Sequence, residues 1–194
     1  MRTENAYFVD RTGLIPELEK TRYAMFLRPR RFGKSLLVAI LQAYYDVDYA
    51  DRFDELFGGL DIGRNPTSER GKYLVLGFNF SGVDKRIDKV QTSFDDHCVS
   101  RINQFVRHYE KFLPDGVKDA VLARPSSSGK LDELCTHLKG TDVRLMVLID
   151  EYDNFTNTIL ARSRDSYEAL CHGDGFFKQF FTVLKEATTG TDAP

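Results

Sequence analysis

The chain has 194 residues, 42% hydrophobic and 29% charged, with a formal net charge of -2. That length predicts one domain with a substantial core, and the composition excludes disorder throughout. The near-neutral balance lacks the general basic excess of a nonspecific nucleic-acid binder, although a local basic patch is compatible with it. Cys98, Cys135 and Cys171 are an odd set at wide spacings with no CxxC pair, which argues against a disulfide framework and a zinc ribbon. The polar start Met1–Asn5 is no signal peptide and no run is long enough to span a membrane, so the expectation is an intracellular, cytoplasmic protein without a membrane partner.

In chain order, Asp10 or Thr12 is placed to cap a short helix carrying Leu14, Ile15, Leu18 and Glu19, with Pro16 in its first turn. The compact apolar run Tyr23–Leu27 reads as a buried strand. Helical spacing begins at Lys34, with Leu36, Leu37, Ile40, Leu41 and Tyr44 on one face. A short helix or turn around Phe53–Leu60 ends at Gly58-Gly59, and Tyr73–Phe80 reads as a second strand. Three- and four-residue steps through Ile87, Val90, Phe94, Cys98, Ile102, Phe105 and Tyr109 predict a long helix from about Asp84 to Phe112. A smaller helix comes next around Val117–Leu122, then a surface loop at residues 125–129 and a helix over Leu131–Leu138. Val143–Ile149 is the most strand-like run of the chain, and helical character returns over Ser166–Leu170 and Phe176–Lys185. Strands alternating with helices indicate an α/β fold with a mostly parallel sheet.

The octamer Arg28-Pro29-Arg30-Arg31-Phe32-Gly33-Lys34-Ser35 lies between an expected strand and an expected helix, the context that gives a phosphate-loop match meaning. Gly33 stands where the backbone must approach phosphate closely and turn into the helix. Lys34 can reach the outer phosphates as a point charge, and the Ser35 hydroxyl suits magnesium. The first turn, including Leu36, offers free N–H groups and the positive end of the helix dipole. The usual pattern has a glycine at the position of Arg28, so the match is imperfect. Read alone, the octamer fits a basic helix cap or a small nucleic-acid contact equally well. Arg124-Pro125-Ser126-Ser127-Ser128-Gly129-Lys130-Leu131 has a similar outline but no preceding strand and no final Ser or Thr, and is read as loop.

Val147-Leu148-Ile149 delivers Asp150 and Glu151 to the carboxyl end of a strand. Asp150 is suited to hold magnesium, largely through water, and Glu151 to orient and deprotonate an attacking water. Alone, this stretch reads more readily as a solvated turn, with Asp153 or Asn154 capping the next helix. Two half-sites at the carboxyl ends of strands favour nucleotide binding, since ligands of open α/β sheets bind at that edge.

Tyr7–Lys20 (YFVDRTGLIPELEK), Phe26–Leu37 (FLRPRRFGKSLL) and Val147–Asn154 (VLIDEYDN) resemble the AAA-ATPase-like family, P-loop proteins often found beside a restriction-endonuclease-like nuclease domain. The likeness extends more weakly over nearly the whole chain. It implies a three-layer P-loop sandwich over residues 1–194, ATP and Mg2+ as ligands, and Arg28 as a family feature. It implies Lys34 and Glu151 in hydrolysis, and a place near the adenine for Tyr7 and Phe8. It also implies a further sheet strand with a phosphate-sensing polar residue, which should begin where this chain ends at Pro194. The expected sheet is therefore incomplete at its C-terminal side, with a protein partner or an oligomer as the natural complement. Asp95, Asp96, His97 and Cys98 fall on different helix faces and are not read as a metal site. The phenylalanines of Phe176–Phe181 are read as core packing.

Overall fold

A computed structural model of the chain describes residues 8–27, 32–152, 154–161, 163–171 and 175–189. The strand-like runs become β1 (Tyr73–Asn79) and β2 (Arg144–Asp150), which pair in parallel. Helix predominates around this small sheet, giving an α/β chain. The chain divides inside β1 into two compact units, Met1–Leu74 and Val75–Pro194.

In the first unit, neither Asp10 nor Thr12 caps the helix, whose N-cap is Leu14 without a side-chain hydrogen bond; Asp10 instead ties down the turn that precedes it. Its carboxylate accepts from the Thr12 N–H (2.9 Å) and hydroxyl (2.7 Å), and from the backbone N–H of Asp61 (2.7 Å). A 3-10 turn at Thr12–Leu14 then leads into α1 (Ile15–Glu19), with Pro16 in its first turn. Helix α2 (Lys34–Tyr45) ends on Tyr44 and Tyr45, which pack with Phe53 and Phe57 of α3 (Phe53–Phe57) and with Tyr73. Glu19 accepts from both the Tyr45 and Thr67 hydroxyls. Ile62 of α4 (Asp61–Arg64) and Ile15 complete this core.

The expected strand Tyr23–Leu27 is not formed, and Tyr23, Met25 and Leu27 are 54%, 70% and 69% exposed. A strand exists only where a neighbour takes up its N–H and C=O groups. Among the described residues the sheet consists of β1 and β2 alone, so the apolar run has no ladder to join.

In the second unit, β1 alternates as its sequence does. Leu76 and Phe78 are buried and Gly77 and Asn79 exposed, with Phe80 continuing the buried side. Phe94 of α5 (Val90–His108) meets the rings of Phe80, Phe155, Phe176, Phe177 and Phe180 at centroid distances of 5.0 to 5.9 Å. Phe155 belongs to α8 (Asn154–Leu160), which packs on α9 (Arg164–Cys171), and the last three rings to α10 (Phe176–Thr189). The same face of α5 carries Cys98, Ile102 and Phe105 toward α6 (Val117–Ala123) and α7 (Ser127–Leu138).

Residues 125–129 are not the expected loop. The Ser126 hydroxyl caps α7 by accepting from the Gly129 N–H, so the helix begins at Ser127 and takes in Gly129 and Lys130. Lys130 is 3% exposed and donates to the carbonyls of Val121 (2.9 Å) and Leu122 (3.0 Å), satisfying the last turn of α6. Burial lowers its pKa. The Gly-Lys pair that imitates a phosphate loop is thus a helix-capping device.

Burial lowers the pKa of His97, the Arg101 charge one turn on adds to the effect, and His97 Nε2 is buried without a hydrogen-bond partner among the described residues. Between the folded-state value and the ordinary value of about 6.5, the unfolded chain holds the extra proton. The stability that His97 contributes is therefore present above that value and lost as pH falls below it. In urea titrations, stability is expected to decline from pH 7 to pH 5, and His97→Gln to flatten that decline. Phe94→Ala, which empties the centre of the aromatic cluster, is expected to cost about 3–5 kcal/mol in the same assay.

Candidate functional site

Of the phosphate-loop residues, Arg28, Pro29, Arg30 and Arg31 lie outside the described residues. Phe32 is exposed, and Gly33 adopts φ +78, a left-handed conformation that glycine takes without steric cost. Among the described residues nothing would crowd a side chain at Gly33, so the demand they make there is conformational. Helix α2 begins at the next residue, and Gly33, its N-cap, has no side chain to cap it. Lys34 is half-buried, Ser35 exposed and Leu36 half-buried. The first turn therefore presents backbone N–H groups beside an ammonium and a hydroxyl, a combination that suits a phosphate anion.

Asp150 and Glu151 belong to the other unit, at the carboxyl end of β2. Asp150 is 7% exposed; its Oδ1 accepts from the Glu151 N–H (3.0 Å) and its Oδ2 lies 3.4 Å from Asn79 Nδ2. Asn79 has one orientation here, because its Oδ1 accepts from the Ser81 N–H (3.0 Å) and so turns its amide N–H toward Asp150. Glu151 has φ +55 and is the one non-glycine residue with positive φ among those described. Its carbonyl accepts from the Asn154 N–H at 3.1 Å, closing a turn into α8. Among the described residues no three His, Cys, Asp or Glu side chains converge as a metal cage. A lone buried carboxylate at a strand end fits magnesium better than zinc, since magnesium takes one or two protein oxygens and fills its shell with water and phosphate.

A family described as predicted AAA-ATPase matches residues 1–192. The chain belongs to that family. No curated protein and no solved structure matches it.

In this AAA-ATPase-like chain the acid pair sits at the strand end that the sequence predicts, and Lys34, Ser35 and Leu36 form the first turn of the predicted helix. Asn79 was not legible as a site residue, because its relevance depends on β1 lying beside β2. An exposed polar residue after alternating apolar ones was the signal available. Cys98 and Cys135 are free thiols whose burial raises their pKa, Cys135 to about 11, so neither is a thiolate nucleophile. No helix among the described residues is long and apolar enough to cross a membrane.

The left-handed Glu151 gives a stability test. Replacing a strained non-glycine residue by glycine relieves the contact between Cβ and the following carbonyl. Glu151→Gly is expected to raise unfolding stability by up to about 1 kcal/mol, against Glu151→Ala, which keeps the strain. A Glu151→Gly protein less stable than Glu151→Ala would show that the turn is unstrained.

Proposed function

We propose that this chain binds ATP with magnesium and hydrolyses it, as one P-loop domain whose phosphate loop is residues 28–36. The observation that carries the reading is the start of α2: a left-handed Gly33 at the N-cap, then Lys34 and Ser35 in the first turn. The family match over residues 1–192 supports the choice of nucleotide. In this reading Arg28, Pro29, Arg30, Arg31, Phe32 and Gly33 wrap the phosphates, and Lys34 neutralises charge on the outer ones. Ser35 and Asp150 hold the ion, with Leu36 contributing its backbone N–H to the first turn. Glu151 orients the attacking water and accepts its proton. Magnesium, when bound, neutralises charge on the phosphate oxygens.

A second reading is a nucleotide-dependent interaction module that binds ATP without useful turnover. Arg28 favours it, because it replaces the glycine that usually lets the backbone close on the phosphates.

Thermal shift with ATP and magnesium is the first test. Wild type is expected to gain stability saturably and Lys34→Ala to lose that gain. Phosphate release should be slow in wild type and absent in Glu151→Gln, whose nucleotide shift survives. Binding with no turnover, unchanged by Glu151→Gln, selects the interaction module. No shift at all, together with salt-sensitive DNA binding that ATP does not compete with, would instead assign the basic loop to nucleic acid.

A further inference from the structure

Asp150, Glu151, Asn154, Ser81 and Asn79 close a ring of hydrogen bonds at the carboxyl ends of β1 and β2, and the whole ring lies within the Val75–Pro194 unit. Asn79 Nδ2 lies 3.4 Å from Asp150 Oδ2, and Asn79 Oδ1 accepts from the Ser81 N–H at 3.0 Å. The Ser81 carbonyl accepts from Asn154 Nδ2 (3.2 Å), and the Asn154 N–H donates to the Glu151 carbonyl (3.1 Å). The Glu151 N–H returns to Asp150 Oδ1 at 3.0 Å. Lys85 holds Asn154 from outside the ring, its ammonium donating to Oδ1 at 3.1 Å.

The ring sets orientations atom by atom. Lys85 has only donors to offer, so it fixes the oxygen of Asn154 and leaves the amide N–H for Ser81. The Ser81 N–H in turn fixes the oxygen of Asn79 and leaves its amide N–H for Asp150. Each oxygen of the Asp150 carboxylate thereby meets an N–H donor, one at its own strand end and one from the neighbouring strand, and the plane of the carboxylate is set. Asp150 is buried, so its orientation rests on these donors more than on bulk water. Hydrogen-bonded partners of this kind orient and tune the carboxylates that hold metal ions. Asn79 suits that work because its amide is neutral: it directs the carboxylate without competing for the charge that a cation needs, as a lysine or arginine there would.

Building on the reading that Asp150 holds the ion, we propose that Asn79 is a positioning residue for a divalent cation. It acts through Asp150, and the ring through Ser81 and Asn154 keeps it in place.

The test is the titration of Mn2+ alone into the isotope-labelled full chain, without nucleotide, read by paramagnetic broadening of amide NMR signals. In wild type the amides of Asp150 and Glu151 are expected to broaden ahead of the rest, and Asp150→Asn to abolish that preference. Asn79→Ala is expected to raise the Mn2+ concentration for half-broadening about tenfold. Asn154→Ala, which opens the ring without touching Asp150, is expected to raise it by a smaller factor. Signals remote from the strand ends are expected to keep their positions in both variants, which separates lost positioning from lost folding. A wild-type midpoint in either variant would overturn the proposal. If wild type shows no preferential broadening at Asp150, that carboxylate does not hold the ion unaided and the inference falls, while the nucleotide reading still rests on its own thermal-shift test.

Discussion

Parallel pairing of β1 with β2 puts the carboxyl ends of both strands at one edge, and the chemistry available to the Val75–Pro194 unit depends on that. The period of the strand then sorts the side chains. Leu76, Phe78 and Phe80 turn to the aromatic core, so Asn79 must face away from it and can reach Asp150 on the adjoining strand. Phe94 and its ring of phenylalanines hold β1 and α8 in place beneath the strand ends. A loosened core would therefore reach the acid pair through Phe155, whose helix begins three residues after Glu151.

The same logic explains what was legible in the sequence. β1, β2 and α5 announced themselves because burial on one or two faces imposes a period on the residues that form them. The acid pair was legible because it follows a strand, and Lys34 because it opens a helix. Tyr23–Leu27 misleads because an apolar run records a preference for burial, whereas a strand also needs a partner ladder far away in sequence. The start of α7 misleads for the opposite reason: Ser126, Ser127 and Ser128 look like a loop, but Ser126 is a cap and the helix runs on through Gly129. Asn79 was silent, since its contact with Asp150 spans 71 residues.

Lys34 and Lys130 show why a Gly-Lys pair alone carries little information. Gly33 is outside its helix, in a left-handed conformation, and the lysine after it opens the first turn. Gly129 is inside its helix, and the lysine after it is turned back to the carbonyls ending α6, with its charge spent on structure. What separates the two is the position of the glycine relative to the cap. In one case the N-cap residue is a glycine with no side chain to offer; in the other Ser126 supplies a hydroxyl.

Gly33 and Glu151 occupy the same region of backbone space, and the contrast between them bears on function. A left-handed residue costs glycine nothing and other residues roughly 1–2 kcal/mol. At the head of α2 the sequence meets the demand with glycine. After β2 it keeps a glutamate, although glycine would fit the same turn with less strain. Among the described residues, the hydrogen bonds that Glu151 makes to Asp150 and Asn154 run through its own N–H and C=O and not through its side chain. A carboxylate in this left-handed position, next to Asp150, is what the proposed activation of water would use.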